Sequence, residues 1–303
     1  MRTFFVGDVI SARPILQAIA DQGRLVGAAV DGERHRQTAR ELGIDPIASG
    51  SLNGAAALRG LRDLDIDLIV NFNSTVVFRE DLLDCPRIGS INFHPGLLPG
   101  YAGLNVHQWA ILNGEAETGS TIHVMTPRID AGGVLAQSTL AIGAADTGLL
   151  LFMKLLRDGA SLMASVLQDI AKAGFAEATP QKQDFHHYYR RSDRPCGRID
   201  FSKSTSEVDR LIRALSYRPM ESPLGVAYLE TPLGRMEPAM ISSIPSPPGA
   251  TRRPGEVVSI EADLLEIACA DGILAVKSAY VGGERLKAGI AAGNLGLRVG
   301  SMV

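Results

Sequence analysis

Ser90–Gln137 reads SINFHPGLLPGYAGLNVHQWAILNGEAETGSTIHVMTPRIDAGGVLAQ, and its two halves set the architecture. The apolar run Ile88–Phe93 has the length of a strand and closes on two polar residues two apart, Asn92 and His94. Pro95, Gly96, Pro99, Gly100 and Gly103 then keep the backbone out of regular structure. Further on, Thr121–Met125 and Val134–Ile142 predict a strand pair around the loop MTPRIDAGG. A strand that delivers polar groups to an irregular loop suits an open α/β sheet, where ligands bind beyond the carboxyl ends of the strands.

Working back to the N-terminus, Phe4–Val6, Leu25–Val30 and Leu68–Asn71 read as further strands. Pro14–Ile19, Arg34–Leu42 and Ala55–Leu61 between them read as helices. That alternation predicts right-handed crossovers and a mostly parallel sheet with helices on both faces. No GxGxxG is present, so no dinucleotide site is inferred.

Toward the C-terminus, Thr147–Lys172 predicts a long amphipathic helix with Leu151, Leu155 and Leu162 on its apolar side. Gln181–Asp200 turns polar and basic and loses periodicity, as a linker does. Ser204-Thr205-Ser206-Glu207 is a capping box that opens a helix with Val208, Leu211, Ile212 and Leu215 inward. Val226–Leu229, Val257–Ile260, Leu264–Ala268 and Ile273–Val276 follow as short strands, with a loop over 244–255. Their spacing predicts a small barrel or sandwich as a second domain.

Composition fits this plan. The 303 residues suffice for two cores, and 46% hydrophobic with 21% charged content is ordinary for a globular chain. A net charge of −3 gives no general attraction to nucleic acid. Cys85, Cys196 and Cys269 are scattered, which argues for a reducing compartment and against a disulfide framework or zinc cluster. No run approaches the roughly 20 apolar residues that span a bilayer, and the N-terminal apolar run is short and broken by Asp8. These observations predict a cytoplasmic protein with no membrane partner and no metal.

Asn92 and His94 share one face of their strand, and Asp130 stands on a turn before Gly132 and Gly133. Amide, imidazole and carboxylate are the groups that hold an oxyanion and move a proton. A carboxylate beside an imidazole favours its protonated form, and the Asn92 amide is suited to donate to an oxygen that becomes negative. Alone, an Asn-x-His triplet is common and Asp130 reads as a turn residue. The joint pattern with its Gly/Pro loop carries the inference. His107 and His123 lie close in sequence and read as structural, while His186-His187 beside Tyr188-Tyr189 lacks the spaced carboxylate or thiolate partners of a metal site and reads as a surface pair.

The stretch Asn92–Gly132 resembles the formyltransferase family that uses 10-formyltetrahydrofolate. The residues that carry the likeness are Asn92, His94, Leu97-Leu98-Pro99, Tyr101, Gly103, Trp109-Ala110-Ile111, Gly114-Glu115, Thr118-Gly119, Thr121, Asp130 and Gly132. RIDFSKSTSEVDRLIRAL resembles the segment that opens the second domain of two-domain members. The resemblance implies a Rossmann-like catalytic domain over 1–180, a linker over 181–202 and an OB-like barrel over 203–303. It also implies Asn92, His94 and Asp130 as catalytic residues. The folate co-substrate is expected against Val76, Val77, Phe78 and Leu104 and the loop Thr126, Pro127, Arg128, Ile129 and Asp130. Gly96 stands where the family usually has Ser, Ala102 where it often has Arg, and Leu104-Asn105-Val106 replaces a frequent Ala-Pro segment. Those departures bear on the acceptor.

The expected acceptor is the amine of a small molecule, either a nucleotide-linked amino sugar or an N-hydroxyornithine-type siderophore precursor. A tRNA acceptor is disfavoured: the tRNA enzymes of the family carry a long basic insertion after the second strand, and Val30 here runs into DGERHRQTARELGIDP. Arg190, Arg191, Arg194, Arg198, Arg210, Arg213 and Arg218 remain a cluster able to meet phosphate or pair with local acids. Glycinamide ribonucleotide fits less well, since that branch lacks such a second domain. A folate-binding protein without turnover is the alternative of another class. For the second domain three roles stay open: to shape the acceptor site, to support a homodimer, or only to add bulk.

Overall fold

A computed structural model describes residues 1–174, 178–182, 187–245 and 252–303, so His186 and the middle of the loop over 244–255 lie outside the described residues. The chain gathers into two compact units. Met1–Val106, Glu117–Ala141 and Phe152–Arg190 make the first; His107–Ala116, Ile142–Leu151 and Arg191–Val303 make the second.

The first half of the chain runs β1 (Arg2–Gly7), α1 (Arg13–Gln22), β2 (Arg24–Ala29), α2 (Glu33–Glu41), α3 (Ala55–Asp63), β3 (Leu68–Phe72), α4 (Glu80–Leu83) and β4 (Gly89–His94). There follow β5 (Ala102–Gly103), α5 (Val106–Asn113), β6 (Glu117–Val124), β7 (Val134–Ala141), α6 (Gly148–Ala173) and β8 (Tyr188–Tyr189). The main sheet has the order β2-β1-β3-β4-β6-β7. Its first four strands are parallel, and β6 and β7 are antiparallel additions. This is the mostly parallel, Rossmann-like sheet that the strand–helix alternation predicts.

Each face of the sheet has its own apolar layer. Val70, Phe72, Ile91, Phe93 and Ile122 meet Leu156, Ala160, Met163, Leu167 and Ile170 of α6 on one side. Phe93 presses so close that a Cβ on Gly159 would fall 2.0 Å from its ring, so α6 requires a glycine there. On the other side Phe4, Val6 and Ile69 pack with Leu58, Leu61, Phe78 and Leu82. Because strand side chains alternate, filling one face with Phe72, Ile91 and Phe93 turns Asn71, Asn92 and His94 to the other.

The second unit holds α7 (Thr205–Leu215), β9 (Leu229–Thr231), β10 (Gly234–Pro245), β11 (Val257–Glu261), β12 (Leu264–Ala268), β13 (Gly272–Val281), β14 (Glu284–Lys287) and α8 (Ala288–Asn294). They build a curled antiparallel sheet in the order β11-β12-β13-β10-β9, with β14 on β13. Ser204 and Glu207 form the expected capping box, and Val208, Ile212 and Leu215 join this unit's core.

Three expectations change. The strand expected over Val226–Leu229 begins only at Leu229, as β9: Gly225 turns at φ +95°, Val226 is exposed, and Tyr228 exchanges backbone bonds with Gly197 and Ile199. The twelve-residue β10 is unannounced because GRMEPAMISSIP has no clean alternation and contains Pro238. Its pairing with β13 shifts register at Pro238/Met240 and Met240/Ile241, and such bulges scramble a period of two. Finally, the polar stretch after Gln181 is more than a connector. Tyr188 and Tyr189 pair with Ala102 and Gly103 as a two-stranded sheet inside the first unit.

Candidate active site

Three neighbouring strands place their polar residues in one row. Asn71 of β3 stands opposite Asn92 of β4, and Asn92 opposite His123 of β6. Register partners point to the same face, so the three side chains meet. Asn71 Nδ2 donates to Asn92 Oδ1 at 2.8 Å, and Asn92 Nδ2 lies 3.0 Å from His123 Nε2. The Val124 carbonyl, 2.9 Å from His123 Nδ1, can only accept, so Nδ1 carries the hydrogen. Burial pushes the His123 imidazole below its ordinary range, against the pull of the Asp130 carboxylate and with help from His94. The ring is therefore neutral at pH 7, and its bare Nε2 accepts from Asn92.

Two residues beyond Asn92, His94 is 4% exposed. Its Nε2 meets the Tyr101 carbonyl at 2.6 Å and its Nδ1 stands 3.6 Å from Asp130 Oδ1. The Tyr101 carbonyl can only accept, so Nε2 carries a hydrogen, while Nδ1 faces the carboxylate. At 3.6 Å the Asp130 contact is longer than a hydrogen bond. The hydrogen bond of Asp130 runs elsewhere, from the Gly103 N–H to Oδ2 at 2.8 Å. Oδ1 is left between His94 and His123, the latter 3.7 Å away.

Local geometry explains why these residue types stand at this spacing. Asp130 adopts a left-handed φ of +56°, a region open to Asp at modest strain but hostile to branched side chains. A Cβ at Gly132 would sit 1.8 Å from the Val124 carbonyl oxygen, so the turn needs glycine two residues after the acid. Gln181 Nε2 donates to the carbonyls of Asp130 and Gly132, at 2.8 and 2.6 Å, tying the presumed connector to the acid's turn. A Cβ at Gly103 would fall 2.2 Å from the Tyr189 carbonyl oxygen, so the N–H that holds Asp130 also depends on glycine.

The Pro/Gly loop after His94 is latched by one hydroxyl. Thr121 Oγ1 donates to the Gly96 carbonyl at 2.7 Å and accepts from the Leu98 N–H and Gln137 Nε2, at 3.2 and 2.9 Å. Thr121 is fully buried, so Thr121→Val strips a partner from each of the three. The expected outcome is a loss of about 1–3 kcal/mol of unfolding free energy in urea titration. A loss below about 0.5 kcal/mol would show that the loop is held by other contacts.

Asn92, His94 and Asp130, expected from the sequence as a site, lie in one unit with the contacts above. Of the folate-facing positions, Val77, Leu104 and Ile129 expose their side chains, as do Thr126, Pro127 and Arg128. Val76 is half-buried, and Phe78 turns into the apolar layer. The Val77 carbonyl already accepts from Asn53 Nδ2 at 2.9 Å. Asn71 and Gln181 escape a sequence reading because their role lies in strand register and a distant return of the chain; His123 is visible only as an alternate residue on a predicted strand. His107 belongs to the second unit, where its Nε2 meets the Tyr217 hydroxyl at 2.9 Å.

Comparison with known proteins identifies the family of the chain. Residues 32–167 match the formyl transferase family model and residues 193–289 the model of the formyl transferase C-terminal domain. The methionyl-tRNA formyltransferase of Alcanivorax borkumensis is 31% identical over 298 residues, covering 94% of this chain and 88% of that protein. Among solved structures, an N-formyltransferase from Helicobacter canadensis in complex with folinic acid and dTDP-3-aminofucose shares the fold with a TM-score of 0.68 at 17% identity, over 92% of this chain and 99% of that one. HypX from Aquifex aeolicus in complex with tetrahydrofolic acid gives a TM-score of 0.65 at 19% identity and covers 98% of this chain. The chain spans about half the length of HypX, 48% of it.

Proposed function

The chain belongs to the formyl transferase family and is an enzyme of formyl transfer, and from that premise we propose that it carries the formyl group of 10-formyltetrahydrofolate to the amine of a small molecule. The convergence of Asn92, His94 and Asp130 on one face at the carboxyl ends of β3 and β4 carries this reading. Exposed Val77, Leu104 and Ile129, with the open loop Thr126–Arg128, suit a flat heteroaromatic co-substrate.

Bound there, the formyl-folate supplies an electrophilic carbon that forms a C–N bond to the incoming amine and breaks its C–N bond to folate, one proton leaving the amine and one returning to the folate nitrogen. The residues serve the charge that develops meanwhile. Asn92 spends one N–H on His123 and has a second to offer an oxyanion. His94 places a cationic ring beside it, and Asp130 sustains that cation from 3.6 Å. For a direct bond, the His94 Nε2–H has to exchange the Tyr101 carbonyl for the substrate oxygen.

Several observations favour a small acceptor. Only Val30–Gly32 joins β2 to α2, leaving no room for the basic insertion of the tRNA enzymes. Part of the arginine cluster is engaged by its own unit: Arg213 with Asp209 and the Asp146 carbonyl, Arg218 with Glu237, and Arg210 with Ser206. The Helicobacter canadensis relative, complexed with an amino-sugar nucleotide, matches over nearly its whole length. A second reading, transfer to initiator methionyl-tRNA, is favoured by the 31% identity that spans most of the Alcanivorax borkumensis enzyme.

Incubation with 10-formyltetrahydrofolate and a panel of amino-sugar nucleotides, N-hydroxyornithine and initiator methionyl-tRNA separates the two. Formylation of a small amine, read by mass spectrometry, is the expected result. Formylation of the tRNA alone, with binding that weakens steeply as salt rises, would replace it.

A further inference from the structure

We propose that Asn71 is a positioning residue that grips the carbonyl end of the Asn92 amide, so that Asn92 presents an N–H rather than an oxygen to the reacting carbonyl. This rests on the reading of Asn92 as an oxyanion donor.

Asn71 is out of place on packing grounds. β3 is LIVNF, buried at all five positions, and Asn71 is 3% exposed. Its Oδ1 is buried and has no hydrogen-bond partner among the described residues. Such an orphan is destabilising, whereas an apolar side chain in a central strand carries no such cost. What Asn71 provides in return is its 2.8 Å bond to Asn92 Oδ1.

That bond matters because the last torsion of an asparagine is broad, and a single contact leaves the amide free to swing. Here the amide is held at both ends. The Val124 carbonyl fixes the hydrogen on His123 Nδ1, His123 Nε2 then takes one Asn92 N–H, and Asn71 holds Oδ1. Each donor direction follows from the previous one, and the remaining Asn92 N–H has no acceptor among the described residues. Removal of Asn71 frees one end, and an amide displaced by about 1 Å can cost up to a hundredfold in rate.

A double-mutant cycle tests this, with Asn71→Leu and Asn92→Ala alone and combined. Asn71→Leu should lower kcat by about 10–100-fold, keep the KM for 10-formyltetrahydrofolate within about twofold, and leave the melting temperature unchanged or higher. In the Asn92→Ala background it should cost nothing further, since it acts only through Asn92. A kcat within about twofold of wild type, or an equal fall in both backgrounds, would overturn the assignment. Should Asn71→Leu fail to fold, Asn71→Asp keeps the shape but sets an acceptor against Asn92 Oδ1, and an unchanged kcat there overturns it equally. A wild-type protein that neither transfers nor hydrolyses the formyl group would break the underlying reading instead. The positioning is then decided by the Asn92 side-chain amide in 15N–1H spectra, assigned by its loss in Asn92→Ala: unaltered signals in Asn71→Leu would refute the grip.

Discussion

Asp130→Asn is expected to leave the fold intact while kcat falls by a hundredfold or more, about the loss seen when a charge-stabilising group is taken from an acyl-transfer site. The substitution isolates the charge. Asparagine tolerates the left-handed φ of +56° that this turn demands, and its amide oxygen can still accept from the Gly103 N–H. What disappears is the negative charge 3.6 Å from His94 Nδ1, which the proposed mechanism uses beside a ring that is 4% exposed. Single-turnover rates with saturating 10-formyltetrahydrofolate give the comparison. A fall of less than about tenfold would mean that Asp130 serves the turn rather than the reaction. Asp130→Ala adds a backbone effect, because alanine sits less easily at positive φ, so stability and rate should both drop.

The legibility of this molecule in its sequence divides along a physical line. Elements held by local periodicity or local bonds could be read: β1 to β4 as apolar runs, α6 from its stripe, the α7 cap from Ser204 and Glu207. The Asn92–His94 pair was equally plain, since a period of two fixes the face they share. Pairings that join distant stretches could not be read. Asn71 reaches Asn92 only because β3 and β4 are neighbours in parallel register, and nothing in LIVNF announces that one buried position is polar for the sake of the next strand. Gln181 lies 51 residues from Asp130, in a stretch whose polarity says only that it is not core. In the second unit, the bulges of β10 erase the alternation on which strand recognition depends.

His94→Ala carries the largest expected effect: kcat down by about a thousandfold or more, with affinity for tetrahydrofolate nearly unchanged. The separation is expected because His94 lies buried and is assigned by the proposal to the reacting carbonyl, while the exposed Val77, Leu104 and Ile129 and the loop Thr126–Arg128 are the surfaces it assigns to the folate. Calorimetric titration with tetrahydrofolate alongside steady-state rates reads the two quantities independently, and a parallel loss of both would recast His94 as a binding residue. The contact of Nε2 with the Tyr101 carbonyl at 2.6 Å adds a finer question. If the ring acts only by donating a hydrogen bond, His94→Gln, a neutral donor of comparable reach, should restore much of the rate. If the positive charge is the active element, as the placement of Asp130 Oδ1 between two imidazoles implies, glutamine should recover no more than about tenfold of the thousandfold lost. Near-complete rescue would therefore remove the charge from the mechanism and, with it, the role given to Asp130.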